Sequence, residues 1–143
     1  PLILMHRRGT PTTMQRNTDY VDLIGEVYSF LEERIERARQ VGIAQWGIDP
    51  GLGFSKTVGG NFLLLKHMRH FANLGCPLLV GASRKSFIWK TLGKTADEAL
   101  EGSLALAVLS RAAGAHILRV HDVQASCRAL RVADAVLQAE VEF

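Results

Sequence analysis

Four times along these 143 residues a short apolar run breaks off into charged or hydrogen-bonding side chains. Each break is followed by apolar residues at helical spacing. Leu2 to Met5 gives way to His6-Arg7-Arg8-Gly9-Thr10-Pro11; Val21, Ile24, Val27, Phe30, Leu31, Ile35 and Ala38 then recur at steps of three and four, and Gly42 suits a helix C-cap. Trp46 to Ile48 leads into Asp49-Pro50-Gly51-Leu52-Gly53-Phe54-Ser55-Lys56-Thr57, after which Asn61 is placed to cap a helix carrying Phe62, Leu63, Leu65, Met68 and Ala72. Pro77 to Val80 leads into Gly81-Ala82-Ser83-Arg84-Lys85-Ser86-Phe87 and a small-sided apolar helix over about 96–113. Ile117, Leu118 and Val120 end in Arg119-Val120-His121-Asp122, and a last helix is expected over about 125–139.

Short apolar strands alternating with helices indicate βαβ units and a parallel sheet, and near-continuous apolar strands are those covered on their faces. Four units suit an open doubly wound sheet or half of a (β/α)8 barrel. The polar strand ends favour the half barrel: His6 and Arg7, Asp49, Ser83 to Lys85, and Arg119 with His121 would ring one face, where barrel enzymes keep their active sites. A half barrel leaves two strand edges unpaired. The chain is therefore expected to be incomplete, opening inside a larger protein, since Pro1 to His6 has neither an initiator Met nor a basic n-region.

Composition narrows the partners. Seventeen Lys and Arg against fourteen Asp and Glu leave a net charge of +3, which does not call for nucleic acid and suits an anionic small molecule equally well. Hydrophobic residues at 48% with 22% charged support a packed core, and no apolar run approaches the ~20 residues that span a bilayer. Cys76 and Cys127 lack metal-ligand or disulfide-scaffold spacing and are expected as small core or near-core residues.

Several clusters bear on chemistry. Gly51 to Thr57 looks like a phosphate loop, but the two required glycine positions hold Pro50 and Ser55. Asp49 has two readings: a turn residue opening a Pro-Gly bend, or a buried carboxylate accepting two hydrogen bonds from an amidine-like edge. Ser83-Arg84-Lys85-Ser86 is either a solvated basic run or an anion or heterocycle contact. In a strand, Arg119 and His121 share a face and suit a phosphate; the bland reading pairs one of them with Asp122. Trp46 and Trp89 are expected to pack, and His67, His70 and His116 show no convergent metal partners.

Leu4-Met5-His6-Arg7-Arg8-Gly9-Thr10-Pro11 with Thr13-Met14-Gln15, the Asp49 to Phe54 block, the Gly81 to Phe87 block and Arg119-Val120-His121-Asp122-Val123 together resemble dihydropteroate synthase. The blocks occur in that family's order and the similarity runs over essentially the whole chain. The resemblance implies the C-terminal half of a (β/α)8 barrel, with residues 1–143 as the C-terminal part of a pterin-binding domain in a cytoplasmic homodimer. It implies that 4-aminobenzoate displaces diphosphate from 6-hydroxymethyl-7,8-dihydropterin diphosphate, giving 7,8-dihydropteroate. Carried over by residue, Asp49, Lys85, Arg119, Met5 and Phe54 bind the pterin. Gly53, Phe54 and Ser83 lie near the aminobenzoate, and Arg119 and His121 hold the diphosphate. Lys85, Arg119 and His121 are the expected catalytic set. A Mg²⁺ ion is expected to take its ligands from strands outside this segment, with none supplied here. This sequence departs from the family at Arg7 and Arg8 after His6, and at Trp89 where many relatives have Gly. The segment alone is expected to be inactive. The other readings are a related pterin-binding methyltransferase and a non-catalytic dimerisation module.

Overall fold

The computed structural model describes residues 1–140 and turns the four sequence units into four strands on one arc. β1 (Leu2–Met5), β2 (Trp46–Asp49), β3 (Leu79–Val80) and β4 (Ile117–Leu118) are joined through α1 (Leu23–Gln40), α2 (Val58–Lys66), α3 (Ser86–Leu92) and α4 (Leu100–Ala112), and α5 (Val123–Leu137) closes the chain. β1 and β2 pair in parallel with Met5 opposite Asp49; β3 and β4 pair in parallel with Val80 opposite Leu118. A single bridge between Ile48 and Leu78 joins the two pairs, with the Ile48 N–H donating to the Pro77 carbonyl at 2.9 Å. Parallel neighbours need long crossovers, and the helices supply them.

The first crossover shows why the sequence folds this way. Leu23, Val27, Leu31, Ile35 and Ala38 fall on one stripe of α1, and all are buried. Asp22 caps the helix by accepting from the Gly25 N–H at 3.1 Å, while Glu26 in the first turn and Arg37 and Arg39 in the last match the helix dipole. The stripe joins a core of Ile48, Leu64, Met68, Phe71, Leu78, Val80 and Phe87 between strands and helices. Burying a side chain of that size contributes roughly 1.5–3 kcal/mol. Trp46 and Trp89 pack against this core, as expected.

Local departures have local causes. Val21 lies outside α1, ahead of the Asp22 cap, and Gly42 follows the C-cap Val41 in the left-handed region at φ +77°. The second helix starts at Thr57, whose hydroxyl accepts from the Gly60 N–H at 3.0 Å; Asn61 is not the cap but a buried residue inside α2. Beyond His67 the chain tightens into a 3-10 stretch, Met68–Leu74. The helix expected over about 96–113 is α4, and a further short helix that the sequence does not announce, α3, precedes it and ends at Gly93 with φ +64°. Cys76 is half-buried against the core, but Cys127 is exposed: α5 rests mainly on α4, burying Ser126 and Ala133, and Cys127 lies off that line. Among the described residues no helix is long and apolar enough to cross a membrane.

Candidate functional site

Parallel pairing brings all four strand ends to one edge, and Asp49 sits at its middle as the last residue of β2. The Asp49 carboxyl is buried, and its Oδ1 accepts from the Gly51 N–H at 2.7 Å. Asp49 therefore makes the Pro-Gly turn and is at the same time a buried carboxylate, so the turn reading does not exclude the other. Burial pushes its pKa up; the Gly51 N–H and the positive charges of Lys85, Lys56 and Arg119 oppose that rise. The turn needs Gly51, whose φ is +73° and whose Cβ would lie 1.9 Å from the His6 carbonyl oxygen.

The glycine-rich stretch that follows is closed to phosphate. The Gly53 N–H donates to Asn61 Oδ1 at 2.6 Å, and the Phe54 N–H to the Gly51 carbonyl at 3.2 Å. Lys56 points inward, with its Nζ 3.0 Å from His6 Nδ1, 3.0 Å from the Gly51 carbonyl and 2.9 Å from the Phe54 carbonyl. Burial lowers the Lys56 ammonium to about 7, against the upward pull of Asp49. Burial, reinforced by Lys56 and Arg8, lowers the neighbouring His6 to about 3. Arg8 itself turns away to Glu26 and lies over the Tyr20 ring at 3.8 Å, while Arg7 is exposed.

Lys85 reaches across from the β3 side. Its Nζ donates to the Leu52 carbonyl and lies 4.5 Å from the Phe54 ring centroid. Burial lowers its ammonium to about 8, with Asp49 holding it up and Arg119 pushing it down. Gly53 lies against the Lys85 stem, where a Cβ would stand 2.8 Å from Cδ; its carbonyl accepts from Gln15 Nε2 at 3.2 Å.

The two adjacent cations after Ser83 have different fates. Arg84, at φ +55°, swings outward and grips Asp122 through Nε at 3.0 Å and an Nη at 2.7 Å, with Asp97 at 3.2 Å. This pairing holds Asp122 below the usual carboxylate range. The alternative that paired Asp122 with Arg119 or His121 is not what forms, because Arg84 takes Asp122 instead.

β4 ends at Leu118, so Arg119 and His121 lie beyond it and the shared-face argument does not fix them. Ser83 fixes His121: its Oγ accepts from the His121 N–H at 3.2 Å and lies 3.1 Å from Nδ1. Arg119 is exposed, with its N–H donating to the Val80 carbonyl at 2.9 Å. The expected residues therefore form two groups: Asp49, Gly53, Phe54, Lys85 and Arg119 around the carboxylate, with Met5 in register beside it, and Ser83 with His121.

Lys56 and Asn61 escaped the sequence reading as site residues. Their partners are backbone groups presented by the turn and, for Lys56, the distant His6 ring, so spacing carries no signal for them. The His70 ring lies tilted against that of Tyr28, with centroids 4.9 Å apart, and His116 Nδ1 accepts from the Leu78 N–H at 3.2 Å. Among the described residues no three or more His, Cys, Asp or Glu side chains stand close enough to hold a metal.

Fold and site together define a class. Residues 1–121 match the family model described as pterin binding enzyme, and the chain belongs to that family. The relatives it is similar to are dihydropteroate synthases. That of Escherichia coli strain K12 is 45% identical over 142 residues, covering 98% of this chain and 50% of the relative. The crystal structure of the Stenotrophomonas maltophilia synthase superposes at TM-score 0.95 with 38% identity, covering 99% of this chain and 54% of that one. Structures of the Thermus thermophilus synthase, one with 6HMPPP and one with 4-aminobenzoate, superpose at TM-score 0.91 with 37% identity. They cover 94% of this chain and 55% and 56% of those chains respectively. The chain spans about half the length of the curated relatives it matches, and the arc is four consecutive units of a (β/α)8 barrel.

Proposed function

We propose that these residues form the pterin-holding and diphosphate-releasing side of a dihydropteroate synthase working in the cytoplasm. Asp49 carries the reading: a buried carboxylate whose Oδ1 serves its own turn, and whose Oδ2 makes no hydrogen bond among the described residues. A pterin's guanidine-like edge presents two parallel donors, and a carboxylate accepts such a pair with charge assistance. Lys85 hydrogen-bonds the ring, Met5 and Phe54 wall it, and Arg119 covers its face. Gly53, Phe54 and Ser83 border the aminobenzoate.

The aniline nitrogen of 4-aminobenzoate attacks the methylene carbon attached to the pterin. The carbon–oxygen bond breaks with its electron pair going to diphosphate, and the nitrogen releases a proton. Arg119 and His121 stabilise the charge that grows on the departing oxygens, while the ring contacts hold the methylene in reach of the amine. No covalent enzyme intermediate is required. The described residues do not fit a Mg²⁺ site: the buried strand-end carboxylate of Asp49 is ringed by Lys56, Lys85 and Arg119, which repel a cation.

The test is Asp49→Asn in the whole polypeptide carrying these residues. It keeps the shape and the Gly51 contact but removes the charge, and is expected to lower kcat/KM for dihydropteroate formation about a hundredfold, or about 2.7 kcal/mol. Unchanged turnover overturns the proposal, as does methyl transfer from a folate. The isolated 143 residues are expected to form no product; turnover by them that Lys85→Ala abolishes would contradict that expectation. Leu109, Val132 and Val136, exposed at 60, 68 and 71% on α4 and α5, favour a subunit surface for a homodimer. Val132→Glu is then expected to shift the protein toward monomer in sedimentation.

A further inference from the structure

Lys56 is a buried cation that the reaction above does not use, and its geometry is unusually complete. A lysine ammonium has three N–H donors and no acceptor. The Lys56 Nζ has three acceptors at 2.9–3.0 Å: His6 Nδ1, the Gly51 carbonyl and the Phe54 carbonyl. The match specifies the protonation of both partners, since a charged Lys56 requires an unprotonated His6 Nδ1 and leaves the ring proton on Nε2. It also specifies the backbone. The two carbonyls belong to the ends of the turn from Gly51 to Phe54, and Gly51 gives Asp49 its N–H. The His6 ring that completes the set is held edge-on to Phe30 at 4.9 Å, and its own carbonyl lies against Gly51.

We propose that Lys56 is a positioning residue for pterin recognition, tying the Gly51–Phe54 turn to His6 so that Asp49 meets the ring ionised and fixed in direction. The proposal rests on the pterin reading of Asp49. The groups facing Asp49 are Lys85, Lys56 and Arg119; those facing Lys56 are His6, Asp49, Lys85 and Arg8. Asp49 is already pushed up by burial, and Lys56 is one of the three cations that restrain it. Without Lys56 the carboxyl takes its proton at a higher pH, and a protonated carboxyl cannot accept both donors of the ring edge.

Two measurements test this in the whole polypeptide. The first is calorimetric binding of 6-hydroxymethylpterin, chosen because it carries no diphosphate, to the native protein and to Lys56→Met. At pH 6 the variant is expected to bind at least about tenfold more weakly, and its half-loss of affinity on acidification is expected about one pH unit higher. A substitution that merely loosens the fold lowers stability without moving that midpoint. Equal affinity and an unmoved midpoint overturn the proposal.

The second is the tautomer of His6 in the native protein at pH 6, read by nitrogen-15 NMR. This pH lies between about 3 for His6 and about 7 for Lys56. An Nε2–H ring with an unprotonated Nδ1 is expected; an Nδ1–H ring overturns the proposal even where Lys56→Met fails to fold. Should the native protein bind no pterin while His6 shows the expected tautomer, the pterin reading fails and the proposal with it. The Lys56–His6 tie would then stand as structure alone.

Discussion

On the β1–β2 side of the site His6, Asp49, Ser55, Lys56 and Asn61 are all buried, and each is bonded to another of the set or to the loop backbone. On the β3–β4 side Arg84 is half-buried while Arg119 and His121 are exposed, and His121 is held through Ser83. Sequence units of the same kind thus give a rigid wall and an open one. A flat ring with a fixed donor pattern is recognised best by groups that need no rearrangement. A highly charged leaving group has to enter and depart, which favours cations that solvent still reaches. In the proposed complex Asp49 on the closed wall meets the edge of the ring, while Arg119 and His121 on the open one meet the diphosphate.

If that contrast is right, substitutions on the rigid wall cost more than those on the open one. Gly51→Ala is expected to do most damage. Its methyl would meet the His6 carbonyl at 1.9 Å, and alanine is strained at φ +73°. Overpacking and backbone strain together should cost about 3–5 kcal/mol in denaturant unfolding. Asn61→Ala comes next, leaving the Gly53 N–H without its 2.6 Å acceptor, at about 1–3 kcal/mol.

His6 gives the wall a pH signature. Its pKa is held at about 3 against an ordinary 6.5, so between those values the unfolded chain binds a proton that the folded chain does not. Stability therefore falls as pH drops through that window, with a slope of up to about 1.4 kcal/mol per pH unit. His6→Asn, which keeps an acceptor near Nδ1, should flatten the slope between pH 6 and pH 4 in thermal unfolding. A slope that survives would show that another group sets it. The smallest effect is expected from Arg84→Ala on the open wall, because the Asp122 pair is solvated. A slight fall in Tm that disappears with added salt fits the comparison. A loss matching that of Gly51→Ala would break it.

The strand ends were legible because polarity changes abruptly there, and the change at Asp49 or Ser83 needs no knowledge of distant residues. α1 was legible for a similar reason: its stripe, cap and terminal charges all lie within one segment. α3 is not legible, because Ser86–Leu92 is too short to show a period and its stop signal, Gly93, stands beyond its last residue. Arg84 and Lys85 look equivalent in sequence; a left-handed backbone at Arg84 separates their directions. In the sequence Lys56 stands out only as part of a stretch that fails as a phosphate loop. Its role depends on His6, 50 positions away, and on carbonyls that face it only after the turn has closed.

The sheet itself has a seam. β2 and β3 meet through the single bridge of Ile48 with Leu78, and above that bridge Lys85 crosses to the Leu52 carbonyl. Lys85 is therefore a stitch between the two halves of the arc as well as a contact offered to a ligand. On the proposed pterin reading, a ring that took its ammonium would undo that stitch and lie across the same line itself, touching Asp49 on one bank and Lys85 on the other. Occupancy would then be part of what keeps the arc closed.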